Sequence, residues 1–401
     1  MPIRSRRLTI AAGAACALAL AVDMIEMAIG NAFSTVFLAP PYEIGPRRLS
    51  ILLSSVYLGA VLGAPVFGWF ADRRGIRSCL VFALGMLGGT SLLAAASPSI
   101  WLLTLTRFLS GFPLGAIPPL LIAYLTQIAE PRRRGLVIFW VCGLAALAPP
   151  FALMTIRGLI PLEPWGIAGW RWPLAGAGAL SLVAALAFLR LPTDGRGPPP
   201  VLNQRETLRQ HRGRLGFISA IYFLFPWAAV GFPLLTGPML LLRGFDVSRA
   251  LLYVTLTTLG PTLASLITGA FVDRLGRRTL LIACAVLMVA CVLAFGLSTS
   301  EGVVAGALVT FGVAGAIYVT ALTLYAAEIF PGEIRTLATS TAWACNRGAA
   351  VLVPLVLFLL IGPKGGVISL LPIAIAMVVS VGLIGLGPKG AARQPLDRDA
   401  Q

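Results

Sequence analysis

The chain has 401 residues, 58% of them hydrophobic and 11% charged; soluble domains carry about 45–50% apolar and about 25% charged residues, so an ordinary soluble enzyme and a disordered chain are both excluded. The net charge of +16 would suggest a polyanion partner in a soluble protein. Here arginine supplies 29 of the 31 basic residues, and they cluster between apolar runs, which points to membrane topology and not to nucleic acid.

A helix crosses a bilayer in about 20 apolar residues, and lipid admits only helices or closed barrels. The runs in this chain are too long and continuous for barrel strands. The first predicted span covers 8–38. Its basic start, Met1–Arg7, and the apolar Leu8–Val22 imitate a secretory signal, a cleaved signal being the minority reading. The apolar character resumes past Asp23 and Glu26 as far as Pro40, so an uncleaved first helix is expected. The next spans are 49–71, 78–97, 100–128, 136–156 and 172–190. Pro113, Pro118 and Pro119 in the fourth and Pro149-Pro150 in the fifth predict kinks.

Arg190–Leu215 is polar, with prolines, glycines, six arginines and the lone His211, and reads as a linker with a surface helix around Gln204–His211. Spans 216–241, 250–272, 279–298, 303–327, 336–361 and 367–387 complete twelve. The expected organisation is a six-helix bundle over 1–190, a cytoplasmic linker over 191–215, and a second bundle over 216–401 ending in a short tail. With the N-terminus cytoplasmic, 22 Lys and Arg fall inside and 7 outside, Arg107 and Arg347 lying within spans; that excess places both termini inside. The six cysteines lie in or beside apolar segments without a CxxC pair, so neither disulfides nor a metal site is expected, and no cofactor. The expected setting is the cell membrane, with the chain acting as a monomer.

Sliding the sequence on itself reveals a duplication. Gly59, Gly68, Asp72, Arg73, Gly75, Arg77, Gly111, Tyr124 and Arg134 match Gly260, Gly269, Asp273, Arg274, Gly276, Arg278, Gly312, Tyr325 and Arg335, each 201 residues later. A single offset over three helices marks a duplicated six-helix unit, an arrangement associated with transporters.

The same residues carry a family resemblance. Gly68-Trp-Phe-Ala-Asp72-Arg73-Arg-Gly75-Ile-Arg77 and Gly269-Ala-Phe-Val-Asp273-Arg274-Leu-Gly276-Arg277-Arg278 resemble the loop signature of the major facilitator superfamily. Arg107-Phe-Leu-Ser-Gly111-Phe-Pro-Leu-Gly115 is similar to its helix-4 motif. Tyr325-Ala-Ala-Glu328-Ile-Phe-Pro331-Gly-Glu-Ile-Arg335 resembles the helix-10 ending of its sugar-porter and metabolite:proton symporter branches. The resemblance implies two six-helix bundles about a cavity that opens alternately to either side. It also implies a cytoplasmic latch built from Asp72, Arg73, Arg77, Arg134 and Gln127 in the first half and Asp273, Arg274, Arg278, Glu328 and Arg335 in the second. Asp72 would face the start of span 11 near Thr336, and Asp273 the start of span 5 near Leu136. Gln127 stands where the family pattern has glutamate, so the first latch should be weaker unless Glu130 substitutes.

The repeat also isolates charges that break its symmetry. Asp23, Glu26 and Arg107 correspond to Leu224, Trp227 and Leu308, and Arg347 to Ala146. Ionisable groups inside membrane spans are functional candidates, because burying a charge there is costly. Asp23 and Glu26 are three residues apart and share a helix face. Two close carboxylates in low-dielectric surroundings resist both being ionised, so one is disposed to carry a proton; the alternative is a structural ion pair with Arg107 or another basic group. The pair also resembles the paired helix-1 acids of aromatic-acid:proton symporters, with Glu26 in place of a second aspartate. Arg347 suits a substrate carboxylate through its planar fork, with Arg107, Asn346 and an aromatic wall of Tyr222, Phe225, Trp227 and Trp343 as further candidates. No intramembrane histidine, phosphate loop or metal set marks an enzyme. The expected function is proton-coupled uptake of a small organic anion, with proton-driven efflux as the alternative. Gly143-Leu-Ala-Ala-Leu-Ala148-Pro149 only approximates the helix-5 pattern of the superfamily's antiporters, which weighs against export.

Overall fold

The computed structural model describes residues 3–129, 134–192, 210–272, 276–361 and 368–387. Among them, eleven helices are long and apolar enough to cross a membrane. A further helix of 26 residues, Val247–Val272, stands at the eighth of the twelve spans read from the sequence. The elements are α1 (Ile3–Val36), α2 (Pro46–Arg74), α3 (Ile76–Ala95), α4 (Ile100–Leu114), α5 (Ile117–Ile128), α6 (Arg134–Ala145), α7 (Ala148–Leu159) and α8 (Arg171–Leu189), then α9 (Arg212–Ala229), α10 (Gly231–Leu242), α11 (Val247–Val272), α12 (Arg277–Leu297), α13 (Glu301–Ile329), α14 (Gly332–Leu359) and α15 (Leu371–Leu386).

The prolines break the spans where a missing N–H and a ring clash predict. Span 4 divides into α4 and α5 just before Ile117-Pro118-Pro119, and span 5 into α6 and α7 just before Pro149-Pro150. Span 7 divides into α9 and α10 just before Gly231-Phe232-Pro233, while Pro113 and Pro226 lie inside helices. Most of the expected surface helix around Gln204–His211 lies outside the described residues.

The chain forms two compact units. One comprises Met1–Pro198 with Gly237–Thr255, the other Pro199–Thr236 with Leu256–Gln401. In the first, α2 packs along α4 and α3 along α8, while α1 runs against α5, α6, α7 and α8. In the second, α12 packs on α13 and α15, and α9 on α14 and α15.

The repeated glycines set both units. A Cβ on Gly59 would lie 2.1 Å from the Phe108 carbonyl oxygen, and one on Gly111 2.2 Å from that of Val56. The second unit copies this crossing: a Cβ on Gly260 would lie 2.0 Å from the Gly312 carbonyl carbon, and one on Gly312 2.3 Å from the Thr257 oxygen. Without a hydrophobic drive between helices in lipid, such close backbone approach is the main source of association. Gly111→Ala and Gly312→Ala must therefore push the helices apart. Each is expected to cost about 1–3 kcal/mol, read as a lower unfolding temperature of the purified protein, whereas Gly143→Ala, with nothing within 4 Å, should leave it unchanged.

Gly75 alone separates α2 from α3. It holds φ at 87° and donates its N–H to the Ala71 carbonyl at 2.8 Å, a left-handed turn that residues with a Cβ adopt only with strain. The glycine of the loop signature is thus explained by the turn.

Candidate functional site

The carboxylates of α1 stand about a turn apart because a helix brings positions i and i+3 onto one face. Both are enclosed: Asp23 is 7% exposed and Glu26 fully buried. The Glu26 carboxylate is held from two other helices. Arg107, about two turns into α4 and 2% exposed, pairs its Nη1 with Glu26 Oε2 and donates from Nη2 to the Glu26 carbonyl at 2.8 Å. Ser91 on α3 donates its hydroxyl to Glu26 Oε1. One guanidinium thus ties both side chain and backbone of α1, and the serine occupies the second carboxylate oxygen.

The structure thus pairs Glu26 with Arg107. The two charges cancel inside the bundle, where a lone one would cost about 2.5–3.5 kcal/mol by helix-insertion scales. Asp23 adds a second acid a turn away. Ser91 was not singled out from the sequence, although the repeat carried a signal: its partner position is Val292, so all four of Asp23, Glu26, Ser91 and Arg107 are replaced by apolar residues in the second half.

In the second unit the structure brings together Tyr222, Trp343 and Asn346. Tyr222 on α9 meets the Trp343 ring edge-to-face at 5.3 Å. Asn346, 7% exposed and one turn beyond Trp343 on α14, donates its Nδ2 to the Tyr222 carbonyl at 3.0 Å. The wall continues through Phe225, stacked on Tyr318 at 5.1 Å, whose hydroxyl lies 2.7 Å from Ser380 Oγ. Arg347, next to Asn346, is half-buried.

The residues assigned to the latch belong to both units. Asp72 is exposed, and the Arg73 guanidinium lies 4.1 Å from the Trp69 ring centre. Arg77 donates from Nε to the Phe188 carbonyl at 2.8 Å and from Nη2 to that of Leu189, so it caps the C-terminus of α8, where orphan carbonyls favour a cation. Gln127 is exposed. Asp273, Arg274 and Glu130 lie outside the described residues, as do the side chains of Arg134 and Thr336. Arg278 and Arg335 are half-buried. Glu328 pairs with Arg277 at 3.2 Å, the two side chains 13% and 12% exposed. Arg277 was missed because the loop signature directs attention to Arg274 and Arg278. The offset would have found it: Arg277 and Glu328 correspond to Ile76 and Gln127, so the first half lacks both partners together.

A family model described as Major Facilitator Superfamily matches residues 15–254, and one described as Sugar (and other) transporter matches 242–394. The 3-(3-hydroxy-phenyl)propionate transporter of Escherichia coli K12 is 26% identical over 367 residues, covering 88% of this chain and 86% of that one. An arabinose-proton symporter of Bacillus subtilis is 28% identical over 166 residues, 40% of this chain, and the match spans only 35% of that relative's length. The inward-open xylose transporter of E. coli superposes with a TM-score of 0.77 at 15% identity over 97% of this chain and 98% of that one, a likeness that speaks for the fold alone. With its apolar helices, duplicated half and matching family models, the chain is a multi-pass membrane protein that belongs to the major facilitator superfamily.

Proposed function

We propose that the chain is a secondary active transporter that takes up a small organic anion together with protons by alternating access. The observation that carries this reading is the cluster of Asp23, Glu26, Ser91 and Arg107, which holds the three buried charged side chains among the described residues. Arg107 balances the Glu26 carboxylate, and a second acid, Asp23, stands a turn away on the same helix. In low-dielectric surroundings, taking up a proton lowers the charge held by such a cluster and releasing it restores that charge. A group that changes charge this way can couple proton movement to a helix rearrangement.

The anion is inferred from Arg347. Its half-buried guanidinium follows the Trp343–Asn346 turn of α14, and a planar fork suits a carboxylate. The aromatic wall of Tyr222 and Trp343 suits a ring or another flat apolar body. The substrate for which the E. coli relative is named, a hydroxyphenyl-propionate, combines both features. The protein would sit in the cell membrane as a monomer with both termini cytoplasmic, halves 1–190 and 216–401 joined by 191–215. Asp72, Arg73, Arg77, Gln127, Glu328 and Arg335 would belong to a cytoplasmic latch.

Purified protein in proteoliposomes should accumulate labelled 3-(3-hydroxyphenyl)propionate or a related aromatic acid when an inward proton gradient is imposed, and lose that accumulation with a protonophore. Labelled arabinose serves as the sugar control. Gradient-driven sugar accumulation without the acid would overturn the anion, and proton-driven expulsion would turn the reading to efflux.

A further inference from the structure

Proline at position 226 lies inside α9. Its ring nitrogen carries no hydrogen, so the carbonyl four residues earlier, that of Tyr222, lacks its ordinary helical donor. In a membrane span an unpaired carbonyl is costly, and a side chain from a neighbouring helix can supply the missing hydrogen bond. The side chain that reaches this carbonyl is the amide of Asn346 on α14, whose Nδ2 stands 3.0 Å from it. Tyr222 is 1% exposed and Asn346 7%.

The repeat gives independent support. The positions equivalent to Pro226 and Asn346 in the first half are Ile25 and Ala145. Where there is no proline, the helix supplies its own donor and there is no amide. The two residues are present together in one half and absent together in the other, as a lost donor and its replacement should be.

We infer that Asn346 is a positioning residue: it supplies the backbone donor that Pro226 removes, and so fixes the turn of α9 that carries Tyr222. Trp343, one turn earlier on α14, meets the Tyr222 ring at 5.3 Å. One turn of α14 therefore grips Tyr222 twice, at its carbonyl and at its ring. Asn346 shapes the aromatic wall and is not itself a ligand for the substrate. This deepens the proposed function, since the wall matters for transport only if that reading is right.

The test is a double-mutant cycle on the full-length purified protein, with thermal unfolding as a readout that needs no substrate. Asn346→Ala should lower the unfolding temperature by about 3 °C or more, the shift expected when a buried carbonyl loses its partner in a domain of this size. Pro226→Ala restores an N–H at 226, so in that background Asn346→Ala should shift it by less than about 1 °C. Equal shifts in the two backgrounds would overturn the proposal. Should Asn346→Ala alone yield no folded protein, recovery of Asn346→Ala/Pro226→Ala supports it, and failure of the double variant refutes it. Amide exchange over 222–232 gives a second readout: faster in Asn346→Ala, and in the double variant back to the level of Pro226→Ala. If a carried acid is in hand, its KM should rise several-fold in Asn346→Ala and return in the double variant. Thermal coupling without a KM effect leaves the clip standing and removes the aromatic wall from the substrate path.

Discussion

Arg107→Leu is expected to leave little folded protein. Arg107 is 2% exposed and holds both the carboxylate and the backbone carbonyl of Glu26. Removing one partner of a buried pair strands the other charge, at about 3–5 kcal/mol, a large share of a stability of about 5–15 kcal/mol. Replacing both partners by apolar residues avoids the stranded charge and is often neutral. The chain itself carries an apolar version of the arrangement, because Glu26, Ser91 and Arg107 correspond to Trp227, Val292 and Leu308. Glu26→Leu/Arg107→Leu should therefore return to near wild-type recovery and unfolding temperature, with Ser91 turning to a carbonyl of its own helix. The same double variant should not accumulate substrate. Monodispersity and thermal unfolding measure the first expectation, proteoliposome uptake the second. A well-folded double variant with wild-type uptake would show that the cluster only holds α1, α3 and α4 together.

That contrast between single and double replacement reflects what could be read from residues in order. Long apolar runs gave the spans directly, because a bilayer's thickness leaves few alternatives. The constant offset exposed the duplication, and with it Gly59, Gly111, Gly260 and Gly312, whose close approaches appear in both units. Prolines located the breaks in spans 4 and 5. Pairing was harder. Glu26 and Arg107 are 81 residues apart, and spacing along a chain does not decide which basic residue meets which acid. The pairing of Glu328 with Arg277 and not with Arg278 turns on one residue of helix register, about 100° of rotation. Asn346 entered as a substrate candidate because it stands next to Arg347. Its hydrogen bond to the Tyr222 carbonyl joins residues 124 apart, and only the proline four residues beyond that carbonyl hints at it. In each case the repeat held the missing information: partners that meet in one half were replaced together in the other.

Asp23→Asn is expected to separate coupling from transport. Asp23 is 7% exposed and stands a turn before Glu26, whose carboxylate is already engaged by Arg107 and Ser91. Under the proposed function Glu26 stays with its partners through much of the cycle, and Asp23 is the acid that changes protonation. Asparagine keeps the size and much of the hydrogen-bonding capacity of a protonated aspartate but cannot release a proton. The variant should therefore bind substrate and exchange labelled for unlabelled molecules across the membrane, since exchange does not require the proton to leave. Concentrative uptake driven by a proton gradient should fall to background. A merely structural aspartate would lower exchange and uptake together, along with the yield of folded protein. Counterflow and gradient-driven accumulation, measured on the same batch of proteoliposomes, distinguish the two. Continued accumulation by Asp23→Asn would move the proton to Glu26, and Arg107 would then be the group that releases that carboxylate to receive it.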